Sequence, residues 1–369
     1  MKNTFGNNIS LTLFGESHGS EIGAVLDGLA PGIKIDEAFI RHQLSLRRPS
    51  GAISTARVEA DNFRIVSGVF EGYTTGAPIC IIIPNENTKS KDYSKTKDLA
   101  RPGHADYAAN CKYHGFEDYR GGGHFSGRLT APIVAACAIL VYALREKGIF
   151  IGTHIASLHR VCDKEFDANC IIEDINKLSV SEFAVLDKDV EGKMKDEIIK
   201  ARSEGDSLGG VLETVAVGLP AGVGEPFFDS VESMISHAMF SIPAIKGVEF
   251  GEGFGMASMK GSEANDAFRM DGDKVVTLTN NNGGINGGIT NGMPILFRCA
   301  VKPTPSIFKK QDTVDMAKGE NATLSLEGRH DPAIIHRARV VVDSMTALVI
   351  ADMLTGRYGT DFLSTEDKK

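Results

Sequence analysis

The chain has 369 residues, 42% of them apolar, enough for two average domains or one large domain with a sizeable core. With 48 acidic against 40 basic residues its formal charge is −8, which excludes recruitment of nucleic acid or a membrane by a global basic field. Six cysteines without C-x-x-C spacing favour a reduced, cytoplasmic, non-metal protein; the N-terminus lacks signal-peptide features, and the longest apolar run, 131–144, reads as too short to span a bilayer.

In chain order, residues 10–14 alternate like a short strand, Gly15-Glu-Ser-His-Gly19 breaks it, and 22–26 resume as a strand ending in the turn Gly28-Leu-Ala-Pro-Gly32. Asp36 caps a helix running to about Leu46, which must stop before Pro49 and leaves Arg47 and Arg48 at its end. Strands are predicted over 63–70 and 78–83, followed by a polar, lysine-rich exposed loop over 85–100. Arg101-Pro-Gly-His-Ala-Asp106 leads into a helix through Tyr113. After the glycine-rich stretch 120–127 comes a helix over 129–147, stopped by Gly148.

Further on, 150–158 reads as a strand, and the charged region 163–203 as peripheral, with a polar helix near 191–202. A strand over 211–218 ends in Gly218-Leu-Pro-Ala-Gly222, and Asp229 is the expected cap of a helix to about Phe240. Strands over 274–279 and 294–301 flank an Asn/Gly loop. Gly328-Arg-His-Asp-Pro332 opens the last long helix, with Pro332 expected in its first turn. The turns at 28–32 and 218–222 echo each other, as do Gly127-Arg-Leu-Thr-Ala-Pro132 and Gly328 to Pro332. These echoes suggest a duplicated unit in which Arg128 and Arg329 sit at equivalent helix starts.

The chemistry gathers at the glycine clusters. Gly121, Gly122 and Gly123 allow close backbone approach to a ligand just before a helix N-terminus, a natural anion cradle. The stretch lacks the Gly-Lys-Ser/Thr ending of a P-loop, and the dinucleotide frame fails at Ser126. Gly15-Glu-Ser17-His-Gly19 matches a serine-hydrolase nucleophile elbow in letters, but a strand rather than a helix is expected after it. His18 and His104 each sit in a glycine-flanked loop and are candidates for proton transfer near neutral pH; the alternative is solvated surface. His104, Asp106 and His114 match no familiar metal spacing. Arg47, Arg48, Arg101, Arg120, Arg128 and Arg329 cluster at these turns, which suits a small substrate carrying phosphate and carboxylate groups.

Taken together, FGESHG, RRPSG, SGVFEGYTTGAP, RPGHADY, RGGGHFSGR, IKGVEFGEGF, NNGGINGGIT, KPTPS and GRHDP, in that order along nearly the whole chain, resemble the chorismate synthase family. The resemblance implies an α+β fold, a β-α-β sandwich of antiparallel sheets and helices, spanning 1–369 as a single domain with possible intertwined repeats. It also implies a homotetramer and anti-1,4-elimination of phosphate from 5-enolpyruvylshikimate 3-phosphate to give chorismate, dependent on reduced FMN. By the same resemblance, His18 protonates the leaving phosphate, His104 protonates the reduced flavin, and Asp331 assists removal of the C6 hydrogen. Arg47, Arg128 and Arg329 hold substrate. The flavin contacts fall on His124, Phe125, Ser126, Ala244, Gly287, Lys302, Pro303, Thr304, Pro305, Ser306 and Arg329.

Three positions depart from the family pattern. Ile53 stands where many members have an arginine linked to NADPH, Pro243 replaces an amide residue beside the flavin, and Asp343 stands where the last helix often has Glu. The chain lacks the extra length of members that reduce their own flavin, so a separate flavin reductase is expected. The reading from another class is a non-catalytic flavin or phospho-metabolite binding protein with the same loops.

Overall fold

The computed structural model describes residues 2–49, 51–54, 60–86, 97–326 and 330–364. Two five-stranded, wholly antiparallel sheets enclose a layer of helices. The first sheet is ordered Thr4–Phe5, Ser10–Gly15, Glu21–Asp27, Ile79–Pro84, Arg64–Ser67. Its inward face follows from two-residue alternation: Ile22, Ala24 and Leu26 stand opposite Ile83, Ile81 and Ile79, and all six are buried. The second sheet is ordered Val161–Cys162, Phe150–Leu158, Gly210–Val217, Ile295–Val301, Ile245–Phe250. There Leu212 and Ala216 oppose Cys299 and Ile295 across the same kind of apolar face.

Between the sheets run helices Thr130–Glu146 and Ile335–Tyr358, packed on one another, with Glu37–Arg47 and Val231–Ser241 beside them. The apolar helix 127–146 corrects the reading from length: in the fold it is long and apolar enough to cross a membrane, yet most of it is core, covered by the first sheet and the last helix. Asp352 of the last helix accepts backbone hydrogen bonds from Asn7, Asn8 and Ile9, fixing the N-terminal strands over it.

The two halves repeat the same geometry. In each sheet the third long strand of the half takes the edge and the fourth inserts beside the second. Gly28 and Gly218 both turn at positive φ, 86° and 87°. Thr74 Oγ1 accepts from Ile33 N at 2.9 Å and donates to Ala30 O at 2.6 Å; Thr290 Oγ1 does the same with Val223 N at 2.9 Å and Pro220 O at 2.7 Å.

Several expectations are corrected. Pro332 lies ahead of the last helix, which starts at Ile335, because the Asp331 and Pro332 carbonyls accept from Thr304 Oγ1 and Leu208 N instead of starting a helical ladder. Ser230, not Asp229, caps 231–241, its Oγ accepting from Ser233 N. The 163–203 region holds two helices, Ile171–Ser179 and Lys188–Ser203, the first burying Ile175 and Leu178 against the second sheet. The strand expected over 63–70 is split at Gly68, whose φ is 82°, and the one over 274–279 ends at Thr277, whose Oγ1 turns back to Thr279 O. The centre of the 85–100 loop lies outside the described residues; its ends are anchored, Asn85 to the 16–19 turn and Ala100 to Val314.

Candidate active site

The glycine triplet is where two chain segments meet. Gly121, Gly122 and Gly123 have φ of 59°, 84° and 53°, the last with ψ −127°, a path open to glycine without strain. A Cβ at Gly121 would lie 2.2 Å from His18 Cε1, and one at Gly122 would lie 3.3 Å from His104 Cε1. Consecutive glycines thus let one backbone come close to both imidazoles that the sequence singled out. The loop is docked on the turn between the first two long strands: Ser17 N donates to Gly123 O at 3.1 Å, and His124 Nδ1 donates to Gly15 O at 2.8 Å. Ser17 therefore sits in an antiparallel hairpin turn with no helix after it, which removes the nucleophile-elbow reading.

His104 is oriented by its neighbours. Its Nδ1 lies 2.7 Å from Asp106 Oδ1, and Arg101 grips the same carboxylate through Nε and NH2, both at 2.7 Å. Burial opposes ionisation of Asp106, but the hydrogen bonds from Arg101 and His104 outweigh it and hold the carboxyl well below the usual carboxylate range. The 3.1 Å contact between Arg101 NH2 and His104 Nδ1 follows from two donors sharing one acceptor. With Nδ1–H committed to Asp106, Nε2 is the nitrogen left for proton exchange.

Ser126 caps the short turn after the loop, its Oγ accepting from Arg128 N, and Phe125 meets Tyr113 edge-on at 6.0 Å. Arg128 is buried. Its guanidinium is bonded to Asp61 Oδ1, to Asn85 Oδ1 at 3.0 Å and to Pro84 O at 3.2 Å. Arg47, also buried at the end of helix 37–47, donates to the backbone oxygen of Arg128 at 3.2 Å, so the two arginines expected to hold substrate are in contact.

Asp331 is ion-paired with Arg337 at 2.7 Å, and its backbone carbonyl accepts from Thr304 Oγ1 at 2.7 Å. The 302–306 loop reaches the His104 turn: Lys302 Nζ donates to Gly103 O, and a Cβ at Gly103 would sit 3.4 Å from Pro305. Ala244 holds a positive φ of 78°, unusual for a residue with a Cβ, and accepts from Lys302 N at 2.9 Å. Gly287 sits at the turn of the hairpin formed by Ile285–Asn286 and Ile289–Thr290, in open space. Arg329 lies outside the described residues. Ile53 and Asp343 are buried in the core. Among the described residues no group of three or more His, Cys, Asp or Glu is arranged to hold a metal.

Sequence reasoning missed Asp61, Asn85 and Arg337, and weighed Asp106 only as a metal ligand with His104 and His114. Only Asp106 carried a local signal, two residues from His104.

An α+β sandwich whose glycine loop packs against two histidines, with buried arginines and an ion-paired aspartate nearby, has the make-up of a candidate enzyme site. The comparisons specify the kind. A family described as chorismate synthase matches residues 9–355. The chain is 47% identical over 352 residues to chorismate synthase of Pyrococcus abyssi (strain GE5 / Orsay), covering 95% of this chain and 97% of that one. It is 44% identical over 352 residues to that of Thermococcus kodakarensis (strain ATCC BAA-918 / JCM 12380 / KOD1), with the same coverage. A crystal structure of chorismate synthase superposes with a TM-score of 0.76 at 30% identity, covering 97% of this chain and 95% of the other. The chain belongs to the chorismate synthase family.

Proposed function

We propose that this chain performs anti-1,4-elimination of phosphate from 5-enolpyruvylshikimate 3-phosphate with reduced FMN, as a carbon–oxygen lyase at the end of the shikimate pathway. The observation that carries the reading is the packing of His18 and His104 against consecutive glycines of one loop. A substrate with a phosphate and two carboxylates needs fixed cations, and Arg47 and Arg128 meet at the C-terminal end of that loop, with Arg329 as the third candidate. His18 donates a proton to the leaving phosphate. His104 exchanges its proton at Nε2, its ring held by Asp106, which Arg101 in turn fixes. Asp331 accepts the C6 proton.

The residues present fit a flavin. Lys302 brings a cation to the loop that abuts the His104 turn, and the strained backbone at Ala244 is bonded to the start of the same loop through Lys302 N. Lys302 to Ser306, Ala244, Gly287, Arg329 and His124 to Ser126 are the residues that would hold it. When bound, reduced FMN supplies an electron-rich ring beside the substrate.

We read residues 1–369 as one domain of two intertwined repeats, supported by the matched hydrogen bonds of Thr74 and Thr290. Exposed Phe227, Phe228 and Phe254 support self-association as a homotetramer. Six unpaired cysteines favour a cytoplasmic setting, and a separate flavin reductase would supply the reduced cofactor.

The test is an anaerobic assay with 5-enolpyruvylshikimate 3-phosphate and reduced FMN, scored for phosphate and chorismate. Stoichiometric release of both, lowered about 10²-fold or more by His18→Ala and by His104→Ala, is expected. Flavin and substrate binding without turnover would refute the catalytic reading.

A further inference from the structure

Arg337 stands in the first turn of the last helix and belongs to none of the glycine-flanked motifs. Its guanidinium makes two hydrogen bonds to two different candidate site residues. Nε donates to the backbone oxygen of Arg47 at 2.8 Å, and NH1 donates to Asp331 Oδ2 at 2.7 Å. Arg47 ends helix 37–47 and reaches on to the backbone oxygen of Arg128. Asp331 is held from its other side, its own carbonyl fixed by Thr304 of the 302–306 loop. One planar guanidinium therefore joins the end of the helix that carries a substrate cation to the carboxylate proposed to take the proton.

We infer that Arg337 is a positioning residue that sets the placement of Asp331 relative to the substrate anchored at Arg47. The inference rests on the reading of Asp331 as proton acceptor. A guanidinium suits this role because its donors lie in a rigid plane, so fixing one acceptor fixes the direction of the other. Lysine cannot replace it fully: an ammonium reaching Asp331 has no second arm in that plane for Arg47 O. Both side chains of the pair are largely buried, 18% and 15% exposed, so solvent screens the contact little and cannot substitute for its geometry. Misplacement of a reacting group by about 1 Å is enough to cost about 10²-fold in rate.

The experiment is a kinetic cycle on the full-length, flavin-loaded enzyme with Arg337→Gln, Arg337→Lys, Asp331→Asn and the double variant Arg337→Gln/Asp331→Asn. The readouts are kcat, KM and the isotope effect with substrate deuterated at C6. Substrate affinity of the flavin-free protein is measured separately by calorimetry. Arg337→Gln is expected to lower kcat by about 10²-fold, with KM and calorimetric Kd changed by less than about 10-fold, and to raise the isotope effect on kcat because proton removal becomes slower. Arg337→Lys should recover part of the kcat loss. The double variant should be no slower than Asp331→Asn alone, since the arginine has nothing left to position. If Arg337→Gln does not fold, Arg337→Lys carries the same cycle with Asp331→Asn. Losses that multiply in the double variant, or an unchanged isotope effect, would overturn the positioning role while leaving Asp331 in place. An active Asp331→Asn would remove Asp331 from the chemistry and this inference with it.

Discussion

Gly121 and His18 leave no room for one more carbon between them: a Cβ on Gly121 would sit 2.2 Å from His18 Cε1, 2.3 Å from Nδ1 and 3.0 Å from Ser17 Oγ. The 16–19 turn is anchored by Asn85, whose amide donates to the Glu16 and Gly19 carbonyls, so the backbone is held and relief of a clash must come from rotation of the His18 ring.

Gly121→Ala should therefore displace His18 and lower turnover by about 10²-fold, while the left-handed φ adds about 1–2 kcal/mol of destabilisation. Gly127→Ala in the same stretch meets no heavy atom within 4 Å and should keep near-normal turnover. Equal activity of the two variants in the anaerobic assay would show that the His18 placement is not needed.

Asp106→Asn should lower turnover by about 10-fold or more without a comparable loss of substrate affinity, because the carboxylate fixes the ring and tautomer of His104 rather than touching substrate. The carboxamide keeps one acceptor oxygen, so Arg101 would lose one of its two side-chain bonds to that group. Steady-state kinetics and calorimetry separate the two effects; a loss confined to affinity would contradict the assignment.

The pair Arg128–Asp61 is buried on both sides, 4% and 0% exposed. Removing Asp61 strands the Arg128 charge, and removing Arg128 leaves Asp61 only the longer contact with Arg48 at 3.8 Å, so Arg128→Leu and Asp61→Leu should each cost about 3–5 kcal/mol in urea denaturation, and the double variant much less than their sum. Additive losses would mean that the two groups are not coupled. In binding titrations, Arg128→Leu is expected to weaken substrate binding more than flavin binding.

Asp343 links the last helix to the second sheet: it accepts from Thr153 Oγ1 at 2.6 Å, and Thr153 in turn bonds Thr214 Oγ1 at 2.8 Å. Burial pushes its carboxyl up to about 6, only partly offset by Arg339, Thr153 and Arg145. The folded protein thus keeps a proton that the unfolded chain releases near pH 4. This group's stabilising contribution is complete below about pH 4 and is lost as pH rises through about 6, about 3 kcal/mol in all at 1.36 kcal/mol per unit. Asp343→Asn should remove that loss: its stability relative to the parent should grow between pH 4 and 7. A difference constant across that range in denaturant titrations would rule the mechanism out.

Much of the scaffold and the identity of the key loops were legible in the sequence, and the reason is that their causes are local. Two-residue alternation places Ile79, Ile81 and Ile83 inward, Asp36 accepts from Phe39 N as an N-cap, and three consecutive glycines mark backbone that no other residue could follow. The echo of the 28–32 and 218–222 turns was legible for the same reason, since each turn is specified by its own glycines. What tertiary structure alone decided depends on groups brought together from distant parts of the chain. No local pattern assigns Asn85 to Arg128, Asp61 to the same guanidinium, or Arg337 to Arg47 across 290 residues. Nor does composition tell a bilayer helix from 127–146, whose apolar surface on every side is needed because the first sheet and the last helix cover it. Hydrophobic pattern fixes which face turns inward; which charged groups then meet behind that face is set only when the layers close.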